Sequence, residues 1–162
     1  MEEKYRKIME RINRDNHFLQ SSRMRVTDAG KGFAVVEMDI DEQILNIYGL
    51  VHGGALFSLA DTAAGAASFT TGRDSVTLNS SINFLRPGTG GKLKAAATEI
   101  HAGKTTGVYE VFIYNDLDHL LSRATFTMFF LDENRKKSHP VPEYEKADEF
   151  CLIEEHTKEQ EL

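Results

Sequence analysis

Apolar side chains recur along this chain in two rhythms, and one segment has no rhythm at all. Tyr5, Ile8, Met9 and Ile12 fall at helical spacing, which predicts a short amphipathic helix over residues 3–13. The polar cluster Asn13-Arg14-Asp15-Asn16 ends it, and either Asp15 or Asn16 is suited to cap a following turn around Phe18-Leu19. Phe33 to Ile40 alternates, with Ala34, Val36, Met38 and Ile40 on one face and Glu37 and Asp39 on the other. That is a strand with one wet side. After a linking loop at 41–51, residues 54–69 read as a helix, ended by Thr71-Gly72-Arg73-Asp74. Four more strands follow: Val76–Phe84, Lys92–His101, Thr106–Asn115 and Leu120–Leu131. In the first of these, Val76, Leu78, Ser80, Ile82 and Phe84 would share one face, and Thr77, Asn79, Ser81 and Asn83 the other. One strand, one long apolar helix and a meander of strands make an α+β pattern, best met by an antiparallel sheet wrapped around a central helix.

The segment without rhythm is LVHGGALFSLADTAAGAASF, from Leu50 to Phe69. Ala55, Leu56, Phe57, Leu59, Ala60, Ala63, Ala64, Ala66, Ala67 and Phe69 cover every face of its helical wheel, so it is expected inside a domain with no solvent side. One carboxylate, Asp61, sits in its middle, and aspartates are rarely buried unless paired or used. Gly53 and Gly54 open the helix, where free backbone N–H groups favour negative charge. A buried acid and an anion hole on one helix point to chemistry on a carbonyl. The two groups are eight residues apart, about 12 Å along an α-helix. Hydrogen bonds reach only about 3 Å. One small carbonyl therefore meets both only if Gly53 comes from one subunit and Asp61 from another, which predicts an obligate dimer with active sites at the interface.

The 162 residues suit one domain with a real core, and 41% apolar with 27% charged residues is ordinary globular composition. The single cysteine, Cys151, excludes an intrachain disulfide. A charged N-terminus without an apolar signal region, and no run of about 20 apolar residues, lead us to expect a soluble, cytoplasmic protein. A net charge of -6 argues against nucleic-acid binding but leaves room for a polyanionic small molecule in a locally basic groove. Arg86, Lys92, Lys94, Lys104 and Arg123 are candidates for such a patch. The six histidines are scattered and no paired Cys or His spacing suggests a metal. Residues 133–162 carry nine Asp or Glu against five Lys or Arg and read as a charged extension, with a surface helix over 143–160. The organisation expected is thus an N-terminal helical segment (1–22), a main domain (23–132) and this extension (133–162).

Several separate blocks resemble one family: GFAVVEM at 32–38, LN at 45–46, HGGALFSLADTA at 52–63, INFLRPG at 82–88 and HAGKTTGVYEV at 101–111. Together they resemble the hotdog-fold acyl-CoA thioesterases of the phenylacetic-acid-degradation (PaaI-like) group. The resemblance implies a hotdog fold, dimers joined sheet edge to sheet edge, often paired into tetramers, and hydrolysis of acyl-CoA to coenzyme A and a carboxylate with no further cofactor. It implies that Asp61 is base or nucleophile and that the Gly53 N–H polarises the thioester carbonyl. Asn46 matches a residue that orients substrate in some relatives, and Thr77 one that helps position the attacking water. Asn16 is the nearest candidate for an N-terminal asparagine used in parts of the group. His52 would orient the loop or line the pocket, while Gly54, Arg86 and the turn residues Gly103 and Lys104 are candidates for binding substrate and the coenzyme A phosphates. The resemblance favours aromatic acyl groups, phenylacetyl or its hydroxylated forms, and leaves medium aliphatic chains open. Two rivals are a non-catalytic acyl-CoA-binding hotdog protein and a hotdog dehydratase or hydratase. The second would want a histidine at helical neighbour spacing from Asp61, and there is none.

Overall fold

A computed structural model of the chain describes residues 2–131, so Cys151 and the extension at 133–162 with its expected helix lie outside the described residues. The elements are α1 (Glu3–Asp15), α2 (His17–Ser21), β1 (Met24–Gly30), β2 (Phe33–Asp39), α3 (Gly53–Phe69), β3 (Ser75–Phe84), β4 (Lys92–Ala102), β5 (Thr106–Asn115) and β6 (Leu120–Phe130). All strand pairs are antiparallel, in one six-stranded sheet of order β1-β2-β4-β5-β6-β3.

The sheet has one strand more than the alternation predicts. In β1 only Met24 and Val26 alternate before a bulge between Val26 and Asp28 shifts the pattern, so Ala29 is the next buried residue. Arg25 and Asp28 complete the disguise, because a bulge inserts a residue and breaks the period of two. The far side of β1 is closed from within the chain. Asn13 of α1 donates from Nδ2 to the Val26 carbonyl (2.9 Å) and accepts the Val26 N–H at Oδ1 (2.8 Å), standing in for a neighbouring strand.

Helix α3 lies on the sheet. Leu56, Leu59, Ala60, Ala63, Ala64 and Ala67 are buried in one core with Val36, Met38, Ala95, Ala97, Val111, Ile113 and Phe126. Small residues on both layers, Ala60 and Ala63 on the helix with Ala95 and Ala97 on β4, let the backbones approach closely. The helix is not covered all round, contrary to the expectation from its composition. Phe57 is 38% exposed, and Asp61, Thr62, Gly65 and Phe69 are only half-buried, a stripe at three- and four-residue spacing. Beside that stripe runs β3, an edge strand of the sheet among the described residues, with Val76, Leu78 and Phe84 half or more exposed. Among the described residues this apolar helix therefore has an open face.

Candidate active site

A second bulge decides where Thr77 points. Ser75 and Thr77 pair with Phe130 and Met128 of β6, but a register shift follows between Thr77 and Asn79, after which Ser80, Ile82 and Phe84 pair with Phe126, Ala124 and Ser122. Those β6 partners are all buried, so Thr77 shares the helix-facing side with Ser80, Ile82 and Phe84. Strict alternation puts Thr77 on the opposite face; the bulge corrects that. Its Oγ1 donates to Asp61 Oδ1 at 2.6 Å and lies 3.7 Å from Met128 Sδ. An O–H donated to a carboxylate at that distance is a strong, charge-assisted bond. It fixes one carboxylate oxygen and leaves the other available. Asp61 is half-buried in the protomer, not the fully buried acid expected from its place in the helix.

A cavity of about 650 Å³ opens beside this pair, between α3, β3 and the N-terminal helices. Phe18, Phe69, Val76 and Met128 give it apolar walls, while Arg11, Asp15, Asn16 and His17 supply polar groups. Asn16 caps α2, its Oδ1 accepting the Leu19 N–H at 3.0 Å, and its Nδ2 has no partner among the described residues. Asn16, the candidate for the N-terminal asparagine, thus lines the same cavity as Asp61. Arg14, hydrogen-bonded to Asp15, holds that carboxyl below its ordinary range, so it stays charged at the cavity's edge. Sequence reasoning missed the α1–α2 wall; the short helix at 17–21 carries too few residues for a periodic signal.

The other half of the predicted site lies two helical turns away. His52 is the N-cap of α3 and its Nδ1 accepts the Gly54 N–H at 2.8 Å. Ala55 and Leu56 donate to the His52 carbonyl at 2.9 and 3.3 Å. Of the first four N–H groups of the helix, that of Gly53 alone is left without a partner among the described residues. His52 thus positions the helix entry, and an accepting Nδ1 requires a neutral ring with its proton on Nε2. The Gly54 N–H, expected to help bind substrate, is already spent. Gly53 packs under Phe84, whose ring would lie 3.4 Å from an added Cβ.

A second cavity, about 340 Å³, is lined by Asn46, Leu50, Gly53, Leu56, Phe84 and Arg86 among others. Asn46 shapes the loop before the helix, its Oδ1 accepting the N–H groups of Tyr48 (2.9 Å) and Leu50 (3.2 Å). Gly53, Asn46 and Arg86 therefore share one cavity, and Asp61, Thr77 and Asn16 the other. The candidates for holding phosphate are also split. Arg86, which donates to the Leu120 carbonyl at 2.8 Å, is beyond the Phe84 end of β3. Lys104 is in the β4–β5 turn at the Ser75 end, roughly 30 Å away by strand rise, where the Gly103 N–H is already given to Thr106. Lys92 and Arg123 are paired with Glu37 and Glu110, so they form no basic patch with these two. Among the described residues no group of three or more His, Cys, Asp or Glu could hold a metal ion, and no helix is long and apolar enough to cross a membrane.

A six-stranded antiparallel sheet wrapped on one long helix is the hotdog fold, and the relatives of this chain make it a thioester hydrolase. The chain belongs to the thioesterase superfamily, whose family model matches residues 48–122, and within it to the PaaI-like acyl-CoA thioesterases. It is 41% identical to the acyl-coenzyme A thioesterase PaaI of Escherichia coli over 112 residues, 68% of this chain and 73% of that protein. The solved structure of E. coli PaaI superposes with a TM-score of 0.76 at 33% identity, covering 80% of this chain and 94% of that one. A hypothetical thioesterase from Streptococcus pneumoniae, solved with coenzyme A, matches with a TM-score of 0.66 at 36% identity, covering 69% of this chain and 90% of that one. A Streptococcus mutans protein bound to acetyl CoA matches with a TM-score of 0.64 at 39% identity, over 67% and 88% of the two chains.

Proposed function

We propose that the chain hydrolyses acyl-CoA in two sites of a homodimer, each built from both protomers. The observation that carries this is the division of the site. The free Gly53 N–H and the Asp61 carboxylate lie on one open helix face, two turns apart, in separate cavities. A two-fold axis that brings Gly53 of one protomer to the partner's Asp61 completes both sites at once. The midpoint of the eight-residue interval is Phe57, which lies on the open stripe where such an axis would pass. The strand agrees with the helix. Phe84 packs on Gly53 and Thr77 on Asp61, so the same axis sets Phe84 opposite the partner's Thr77, which is an antiparallel pairing of the two β3 edge strands.

In that site the carbonyl oxygen of the thioester takes the Gly53 N–H, at the positive end of α3, where negative charge is favoured. Asp61 then has two routes. As a base it removes a proton from water while the water oxygen bonds to the carbonyl carbon. As a nucleophile its oxygen bonds there directly, and water later cleaves the mixed anhydride. In either route the C–S bond breaks and the thiolate of coenzyme A leaves, so no strong general acid and no further cofactor is needed. Thr77 holds the carboxylate, and Asn46 and the neutral His52 hold the loop that presents Gly53. Arg86, together with the partner's Lys104 brought across the axis, offers positive charge for the phosphates. The coenzyme A and acetyl CoA bound by the two streptococcal proteins support this substrate class. The aromatic walls Phe18 and Phe69 support an acyl group of the phenylacetyl type. Pairing of two such dimers and a cytoplasmic setting belong to the same proposal.

The test is thiol release from a panel of acyl-CoAs by wild type and Asp61→Ala. Turnover by wild type that collapses in the variant, with binding of coenzyme A retained, is the expected result. Tight acyl-CoA binding without any turnover by wild type would overturn it in favour of a ligand-binding role.

A further inference from the structure

The two most exposed large apolar side chains among the described residues are neighbours. Ile47 is 91% exposed and Tyr48 78% exposed, both on the loop that leads into α3. This loop is firmly built. Leu45 bridges Val51, the Asn46 N–H donates to the Leu50 carbonyl at 2.7 Å, and the Gly49 N–H donates to the Asn46 carbonyl at 2.9 Å. Gly49 turns the chain with φ +72°, and the Asn46 side chain ties the tip from inside. Val51 is buried and donates to the Gly88 carbonyl at 3.1 Å, which anchors the loop to the β3–β4 connection. A loop fixed at its base and holding two apolar side chains in the open is arranged to meet something.

The helix register says what. With Gly53 opposite the partner's Asp61 across an antiparallel helix pair, positions before Gly53 run on toward the partner's third and fourth helical turns. The chain enters α3 at Gly53 through an extended His52, so in that arrangement the loop before Gly53 lies on the side of the partner's helix beyond Asp61, toward the partner's Gly65 and the partner's Phe69. Gly65, Ala66 and Phe69 line the 650 Å³ cavity beside Asp61. At Gly65 an added Cβ would meet nothing within 4 Å, so the helix surface there is open to an incoming group. We infer that Ile47 and Tyr48 of each protomer reach across the dimer and form the end wall of the partner's acyl cavity, setting the length of acyl group it accepts. The inference rests on the shared-site dimer proposed above and goes beyond it, since the chemistry needs only Gly53 and Asp61.

Two experiments test it, both on the full chain with Cys151→Ser. The first is a cross-linking pair read without activity. Phe57→Cys, on the axis, is treated with a short bismaleimide, and Tyr48→Cys/Gly65→Cys is treated the same way. The wall predicts covalent dimers from both, and from neither Tyr48→Cys nor Gly65→Cys alone. Dimers from Phe57→Cys but none from the double variant would overturn the wall and leave the shared site standing. No cross-link in either would overturn the dimer and the wall together. The second experiment compares kcat/KM of wild type and Ile47→Ala/Tyr48→Ala on acetyl-, phenylacetyl-, decanoyl- and palmitoyl-CoA. The ratio of decanoyl- to acetyl-CoA should rise at least about tenfold, the size of one lost side-chain contact of about 1.4 kcal/mol. A uniform change across the panel would overturn the wall.

Discussion

Replacing Thr77 by valine removes the one side-chain hydrogen bond to Asp61 among the described residues while keeping the shape of the side chain. The bond is short, 2.6 Å, and its acceptor is a carboxylate. Hydrogen bonds to charged groups are worth about 1.5–3 kcal/mol. Thr77 is exposed in the protomer, so the lower part of that range applies, about 1.5–2 kcal/mol. If all of it serves to hold Asp61 in its reactive position, kcat falls by a factor of about 10 to 30 at about 1.4 kcal/mol per tenfold. KM should move little, because Thr77 is placed to touch the acid rather than the bulk of the substrate. Packing on Met128 survives, since valine keeps the branched shape, and stability should change by less than about 1 kcal/mol. The assay is continuous thiol release under saturating and limiting acyl-CoA, beside urea unfolding of the same preparations. Thr77→Ser, which retains the hydroxyl, should stay within about threefold of wild type, since it keeps the charge-assisted bond. A valine variant within twofold of wild type in kcat, or a serine variant as slow as valine, would refute the reasoning that Thr77 positions the carboxylate.

Two further predictions concern the frame. Tyr109 is buried, donates to Glu99 Oε2 at 2.8 Å, and is pushed by burial from 10.0 up to about 12. A hydroxyl kept protonated in the fold stabilises fully below pH 10 and loses that contribution as pH rises from 10 to 12, where the unfolded chain ionises first. The urea midpoint of wild type should therefore fall faster over that window than that of Tyr109→Phe, and parallel curves would count against it. Gly107→Ala places a Cβ 2.7 Å from Phe130 Cζ and 3.1 Å from Tyr109 Cε2, with the Phe130 ring held by Arg73 3.5 Å above it. Overpacking of this kind costs about 1–3 kcal/mol by urea unfolding, and a variant within about 0.5 kcal/mol of wild type would show that Phe130 yields freely.

Local order along the chain was legible where it was unbroken. Ala34, Val36 and Met38 in β2, Leu93, Ala95 and Ala97 in β4, and the whole of β5 keep a buried period of two, so these segments read as strands, β4 despite a bulge near its end. The period failed at two other bulges, for one reason. An inserted residue in β1 hid a strand, and another in β3 turned Thr77 from the wet face to the helix. Nothing in composition marks such an insertion, because it is set by pairing, in β1 with the adjacent β2 and in β3 with the distant β6. The site was legible in part for a different reason. A helix start and an acid eight residues on are local features, so Gly53 and Asp61 could be named from spacing. Asn16, Phe18 and Arg11 reach the Asp61 cavity only because α1 and α2 fold back over it, and tertiary proximity of that kind leaves no spacing to read. The open face of α3 was masked by its own alanines. They satisfy the sheet on one side and look the same on the wheel as residues awaiting a second layer.

The Asn13 amide on β1 has a consequence for how far this sheet can grow. An unpaired strand edge is a template, and a sheet with two of them can add copies at both ends without limit. Here one edge is already occupied by α1, whose Asn13 takes the outward N–H and C=O of Val26. Strand addition at the β1 end would have to displace the Asn13 amide from Val26, whereas among the described residues the β3 end carries no such plug, so the two ends of the sheet are not equivalent templates.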